Sequence, residues 1–257
     1  MWYYQNIDMN TARFQKEILE YYRANKRLMA WRDISNPYKI FISEMMLQQT
    51  QVERVKVKYK EFITKFPNTK SVASAEKNEV LKVWQGLGYN RRALFIKKAC
   101  EKIVTDYKGI FPKDSTALQT LPGIGPGTAG AILAFAYNEP VFFIETNIRS
   151  VLLYFFFKDQ EKISDKILLE TLEKATPKDI SPRDWYYALY DYGTYLKKTL
   201  GKKKTALHKQ SKHYNTQSKF EGSFRQKRAQ VLRMILNGEK VIGMDDVLES
   251  LKKDGLI

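Results

Sequence analysis

Gly123, Gly125 and Gly127 alternate through the run LPGIGPGTAGAILAFAYNEPVFFIETN, residues 121 to 147. Lacking a Cβ, they allow a tight turn and close approach of another group to the backbone. A helix pattern opens at Thr128, so the first N–H groups and the positive end of its dipole point into the bend. Such a bend suits a phosphate oxygen. Taken alone, the same residues equally describe an ordinary connection between two helices. Glu145 stands at the far end of the run, just before a second helix pattern.

Charge narrows the choice of partner. The 257 residues hold 44 Lys and Arg against 28 Asp and Glu, a net +16. An excess of this size favours a polyanion, either nucleic acid or an anionic membrane surface. No stretch of apolar residues is long enough to span a bilayer. MWYYQNIDMN carries no secretion signal pattern, so a cytoplasmic, nucleoid-associated protein is expected. Cys100 is the single cysteine, which excludes an internal disulfide and a multi-cysteine metal cluster. The length allows one sizeable core or two small ones.

Helical periodicity runs through nearly the whole chain, with no strand pattern and no internal repeat, so an all-α fold is expected. Residues 10 to 30 read as an amphipathic helix carrying Phe14, Ile18, Leu19 and Tyr22. Asn36-Pro37 is a start signal for a helix read through PYKIFISEMMLQQTQVERV, residues 37 to 55. Further helices are expected over 53–66, 71–84, 92–107, 116–120, the run after Glu145, 164–174 and 182–198. Gly86 to Arg92 reads as a loop. From Lys197 to Arg228 there are eleven Lys or Arg and one acid, Glu221. That stretch reads as a DNA-contacting arm or as a solvated linker. Residues 224 to 257 regain helical periodicity as a small C-terminal element.

Glu44 is the exception on an otherwise apolar helix. A carboxylate there pairs with a base, caps something or does chemistry, because a buried unpaired one takes up a proton. Set together, WR at 31–32, PYKIFISEMMLQQTQV at 37–52, GLGY at 86–89, LPGIGPGTAGAIL at 121–133 and the pattern from Asn147 to Leu152 resemble one family. Residues 31 to 195 look like a helix-hairpin-helix DNA glycosylase, nearest to the adenine glycosylases of the MutY type.

The resemblance implies a two-lobed all-α fold. Residues 31–135 would form a six-helix lobe with the hairpin at 116–135, and 1–30 plus 136–196 a lobe built from both chain ends. Residues 197–223 would follow as a basic linker or arm, and 224–257 as the helical element. It implies base flipping from double-stranded DNA holding a mispaired or damaged base, by a monomer without membrane contact. Glu44 would protonate the departing base, while Glu145, near Arg149, would stay ionised and face the positive sugar. Trp31, Arg32 and Asp191 would line the base pocket. Gln48 and Gln49 would fill the gap left by the flipped nucleotide, and Tyr89 would wedge into the stack; simple solvation of a helix surface describes the glutamines equally well. Arg91, Leu121, Gly123, Gly125, Gly127, Thr128, Asn147, Lys202, Lys203 and Lys204 would complete the DNA contacts, with a monovalent cation at the hairpin, Leu121 to Gly127.

Four departures from the family pattern stand out. Glu145 replaces the family's catalytic aspartate. Gly127 stands where lyase-type relatives such as endonuclease III carry a nucleophilic lysine, so base removal without strand cleavage is expected. Lys197 falls where the first cysteine of the family's iron–sulfur cluster would lie, so no cluster is expected. The chain is short for the C-terminal domain that reads 8-oxoguanine. The resulting expectation is a monofunctional glycosylase acting on adenine in a purine mispair such as A:G or A:8-oxoguanine. Thymine or uracil opposite guanine, or a deaminated purine, is the alternative base, and a DNA-binding protein that has lost catalysis is the alternative class.

Overall fold

The computed structural model describes residues 2–158, 160, 162–201 and 219–257, with side chains from residue 10 onward. Helices dominate it, and no multi-stranded sheet forms among the described residues. In chain order they are α1 (Trp2–Asn25), α2 (Pro37–Leu47), α3 (Val52–Lys65), α4 (Thr69–Ser74), α5 (Lys77–Trp84), α6 (Arg91–Asp106), α7 (Ser115–Gln119), α8 (Pro126–Ile132), α9 (Thr146–Phe156), α10 (Asp165–Ala175), α11 (Pro182–Thr199), α12 (Phe224–Leu236) and α13 (Asp245–Lys253). Leu133–Tyr137 extends α8 as a π-helical turn.

Local signals account for most of the helix ends. Asn36 accepts from Lys39 N at 3.0 Å with Pro37 in the first turn, as the dipeptide requires. Asn68 and Ser71 exchange hydrogen bonds across the start of α4. Three expected spans are corrected. The helix read over 10–30 is α1, which ends earlier, at Asn25. The helix read over 37–55 stops at Leu47, because the turn from Gln48 to Gln51 includes Gln49 at φ 55. The helix read over 71–84 is two helices, divided where Glu76 begins a new turn and its N–H donates to the Glu79 carboxylate at 3.1 Å. Apolar spacing continues across both breaks, so periodicity alone does not reveal them.

The chain divides into two compact units. One comprises Met1–Arg32 and Leu133–Thr216, the other Asp33–Ile132 and Gln217–Ile257. Trp31 and Arg32 thus fall in the unit built from α1, the π-helical turn and α9 to α11. Residues 224–257 carry α12 and α13, which belong to the second unit, with Val231, Leu232, Val247 and Leu251 buried.

The core of the first unit centres on Phe14. Its ring meets Phe156 at 5.0 Å and Trp185 at 5.5 Å, both edge-on. Such edge-on pairs add about 0.5–1.5 kcal/mol each beyond area burial. The second unit buries Ile40, Phe41, Ile42, Met45 and Met46 of α2, with the Phe41 ring 5.6 Å from that of Phe111. Replacing Phe14 with Ala should cost about 3–5 kcal/mol, read as a lower urea midpoint at unchanged m-value.

Candidate functional site

Four of the expected residues come together in the second unit. The hairpin runs from α7, capped by Asp114 accepting from Ala117 N at 2.7 Å, through Leu121 to Gly125 and into α8. Gly123 has φ +81, and a Cβ there would stand 2.7 Å from Phe95 Cβ and 2.9 Å from Met45 Cε. It is the one hairpin glycine with positive φ. A Cβ at Gly125 would meet nothing within 4 Å, so the backbone is open to an incoming group there. Gln48 Nε2 donates to Thr128 Oγ1 at 3.3 Å, joining the end of α2 to the second hairpin helix. Leu121 is buried, and its carbonyl accepts from Ile124 N at 3.1 Å.

Two of these residues sit on unusual backbone. Gln49 (φ 55) and Tyr89 (φ 46) occupy the left-handed region that side chains other than glycine rarely adopt. Both are exposed, Gln49 in the turn after α2 and Tyr89 in the loop before α6. Local strain of this kind persists only where surroundings enforce it.

Arg92 is the enforcing group, and sequence reasoning missed it. Its Nη1 donates to the carbonyls of Met45, Met46 and Gln48 at 2.7, 3.0 and 2.6 Å. Nη2 reaches Thr50 Oγ1 at 2.9 Å and the carbonyls of Leu87 and Gly88 at 3.3 and 3.1 Å. One planar fork therefore caps α2 and ties its turn to the Gly86–Tyr89 loop. Burial pulls the guanidinium down to about 10, so it stays charged at neutral pH. A cation in the first turn of α6 opposes the helix dipole, and that was the signal available in the sequence.

Glu44 lies on α2, half-buried, one residue before Met45, whose carbonyl Arg92 holds. Glu145 belongs to the first unit as the N-cap of α9. Its Oε1 accepts from Asn147 N at 2.7 Å and Ile148 N at 2.8 Å, and its Oε2 from Asn147 Nδ2 at 3.1 Å. Desolvation pushes the carboxyl above its ordinary 4.5, against the pull of those hydrogen bonds and of Arg149. Arg149 directs its guanidinium to Asp165 instead.

Asn147, expected at the DNA, serves here to orient Glu145. Gly193 permits this: a Cβ on it would lie 2.6 Å from Asn147 Cβ and 2.8 Å from its carbonyl oxygen. Glycine inside α11 costs about 1 kcal/mol relative to alanine, so a packing reason was legible there.

The expected base-pocket residues have a different setting. Arg32 donates to both oxygens of Asp191 at 2.7 Å, and Arg27 binds the same carboxylate from its backbone and side chain. Arg32 is 2 % exposed and Asp191 1 %, and the guanidinium stacks 4.5 Å from the Tyr187 ring centre. Tyr187 Oη donates to the Trp31 carbonyl at 3.3 Å, and Trp31 is itself buried. Within this unit the trio clamps the chain from Arg27 to Arg32 onto α11. Arg91 stays largely exposed, 3.8 Å from Asp254. Gly127 lies in the first turn of α8. Lys202, Lys203 and Lys204 lie outside the described residues.

This hairpin, with its carboxylate helix, defines a class. Residues 42–178, more than half of the chain, match the model of the HhH-GPD superfamily base excision DNA repair proteins, and the chain belongs to that family. It is similar to the adenine DNA glycosylase of Buchnera aphidicola subsp. Baizongia pistaciae, 39% identical over 171 residues that cover 66% of this chain and 49% of the relative. It is also similar to that of Mycolicibacterium smegmatis, 39% identical over 136 residues covering 52% of this chain and 46% of the relative. The chain thus spans about half the length of the curated relatives it matches. Among solved structures, a thermostable thymine-DNA glycosylase superimposes with a TM-score of 0.64 at 25% identity, covering 72% of this chain and 87% of that one. A non-covalent endonuclease III–DNA complex gives 0.58 at 22%, covering 70% and 84%, and shares the fold.

Lysine at position 92 would supply a point charge where the structure uses a fork. Carbonyls left unpaired cost about 1–3 kcal/mol each. Arg92→Lys should therefore lower stability by about 3 kcal/mol in urea denaturation.

Proposed function

We propose that this chain is a monofunctional DNA glycosylase that flips adenine from a purine mispair in double-stranded DNA and hydrolyses its N-glycosidic bond. The single observation that carries this reading is the 39% identity to an adenine DNA glycosylase over 171 residues, with Glu44, the hairpin and Glu145 inside the family match at 42–178. The net charge of +16 suits the DNA partner. In this reading the enzyme acts as a monomer in the cytoplasm. No helix among the described residues is long and apolar enough to cross a membrane.

The chemistry follows from two carboxyl groups in different states. Glu44 gives its proton to the base as the electrons of the glycosidic bond leave with it. Glu145, ionised, balances the positive charge that grows on the sugar. Water then adds to the sugar carbon, and its proton returns to Glu44. The N–H groups of the open hairpin bend hold one phosphate, and Gln48, Gln49 and Tyr89 occupy the disturbed stack. Main-chain carbonyls between Leu121 and Gly127 would hold a monovalent cation. Gly127 offers no amine for a Schiff base, so the product is an abasic site in an intact strand. Four thiolates hold the family's iron–sulfur cluster, and one buried cysteine, Cys100 in α6, does not fit it.

The likeness to a thymine-DNA glycosylase favours one second reading, thymine opposite guanine. Duplexes with A:G, A:8-oxoguanine, T:G, U:G and hypoxanthine pairs, treated with protein and then alkali, separate the two. Strand breaks only after alkali, on the A-containing mispairs, are expected. Breaks on T:G alone would replace the first reading with the second, and breaks on no duplex would remove both. Glu44→Gln should abolish breakage yet bind mispaired duplex within about twofold of wild type, since its proton is lost and the phosphate grip is not.

Glu145 sets the acid limb of the rate. Its folded value lies above 4.5, and it works as the anion. Activity should therefore fall on acidification at a higher pH than an ordinary carboxylate would give. Between 4.5 and the raised value the fold binds the proton more tightly than the unfolded chain, so the stability it contributes is lost as pH rises. Single-turnover excision across the acid range reads the limb, and a limb at or below 4.5 would contradict the raised proton affinity of Glu145.

A further inference from the structure

The C-terminal helices pack in the same unit as the loop that carries Tyr89, and charge ties the two together. Arg225 Nη1 donates to Tyr89 Oη at 3.4 Å, while its guanidinium lies 6.0 Å from the Phe220 ring centre. Asp254, at the end of α13, accepts from Arg228 and sits 3.8 Å from Arg91 at the start of α6. Arg228 also donates to Ser250, and Lys77 Nζ donates to the Gly255 carbonyl at 3.4 Å. The start of α12 is therefore joined to the Tyr89 loop through Arg225, while the end of α13 is held to α12, α5 and the start of α6.

What this brace presents outward is unusual. Phe220, Phe224 and Tyr89 are 52%, 44% and 40% exposed. Single exposed rings are ordinary. Here three of them accompany Lys219, Arg225 and Lys227, with Lys219 3.4 Å from Glu221, the lone acid from Lys219 to Lys227. Aromatic faces that alternate with cations suit unstacked bases and their phosphates, since every base has a π-face and every linkage a negative charge.

We propose that Lys219 to Lys227, together with Tyr89, form a stacking and phosphate-binding platform for the DNA strand that flanks the flipped nucleotide. This rests on the reading that DNA is the substrate. It gives residues 224–257 a role: they hold the platform beside the loop that wedges into the stack. A platform of this kind grips a distorted strand more than a smooth duplex, because only unstacked bases expose their faces.

The test uses the full chain and a fluorescein-labelled duplex holding one A:G mispair, with affinity read by anisotropy at several salt concentrations. The Phe220→Ala/Phe224→Ala pair should weaken binding about tenfold, since stacking contributes about 1–3 kcal/mol per base. A Phe220→Leu/Phe224→Leu pair keeps apolar bulk without the π-face and should weaken it similarly. Arg225→Ala should reduce the salt slope by about one phosphate. Of the three side chains changed, Phe220 and Phe224 are exposed and Arg225 is half-buried, and unchanged urea midpoints would confirm intact folding. Binding within about twofold of wild type by the Phe pairs, with an unchanged slope for Arg225→Ala, would overturn the platform. Base release by the wild-type chain is scored separately. Normal release with unaffected variants sinks the platform alone, whereas strong, variant-sensitive binding without any release sinks the glycosylase reading and leaves the platform standing.

Discussion

The second unit depends on one guanidinium. Arg92 gathers five backbone carbonyls and a hydroxyl that no regular helix could satisfy, drawn from the end of α2, the following turn and the Gly86–Tyr89 loop. Because those carbonyls are buried, each would otherwise cost about 1–3 kcal/mol. Meeting them with a single planar fork lets α2 end abruptly at Leu47. The abrupt end is what frees Gln48 to reach Thr128 and leaves Gln49 in left-handed backbone. The same fork fixes the loop bearing Tyr89. A buried charge thereby gives precise form to the residues assigned to the DNA.

The first unit solves a related problem twice. Arg32 and Asp191 are buried together, with Arg27 as a second cation, so the pair is neither isolated nor short of hydrogen bonds. Breaking such a pair from one side typically costs about 3–5 kcal/mol. Glu145 is treated differently. It receives backbone and amide N–H groups but no direct ion pair from the described residues, and Arg149 turns to Asp165. Desolvation therefore prevails and its proton affinity rises. Glu145 answers to its helix end and to Asn147, whose position Gly193 makes room for.

The extra charge of the chain is concentrated late, from Lys197 to Arg228. The part of that stretch nearest α12 is anchored through Arg228 and Asp254 to the unit that carries the hairpin. Basic residues and exposed rings thus stand on the same body as the Gly123 turn and the glutamine turn. In a family of base excision DNA repair proteins, contacts on one body keep a fixed register.

The sequence by itself determined the all-α class, the glycine bend, the Asn36-Pro37 start and the two carboxylates that stand out from apolar surroundings. Each is a local matter: a missing Cβ, a cap, a charge out of phase with its helix. Tertiary structure alone decided where α2 and α4 stop, that Arg32 closes on Asp191 across 159 positions of sequence, and that Arg92 is a hub. It also set the direction in which Glu145 shifts. Periodicity reports which face of a segment is buried and is silent on which distant polar group awaits it there. Desolvation and ion pairing depend on that distant group, so these assignments emerged only when the chain was folded.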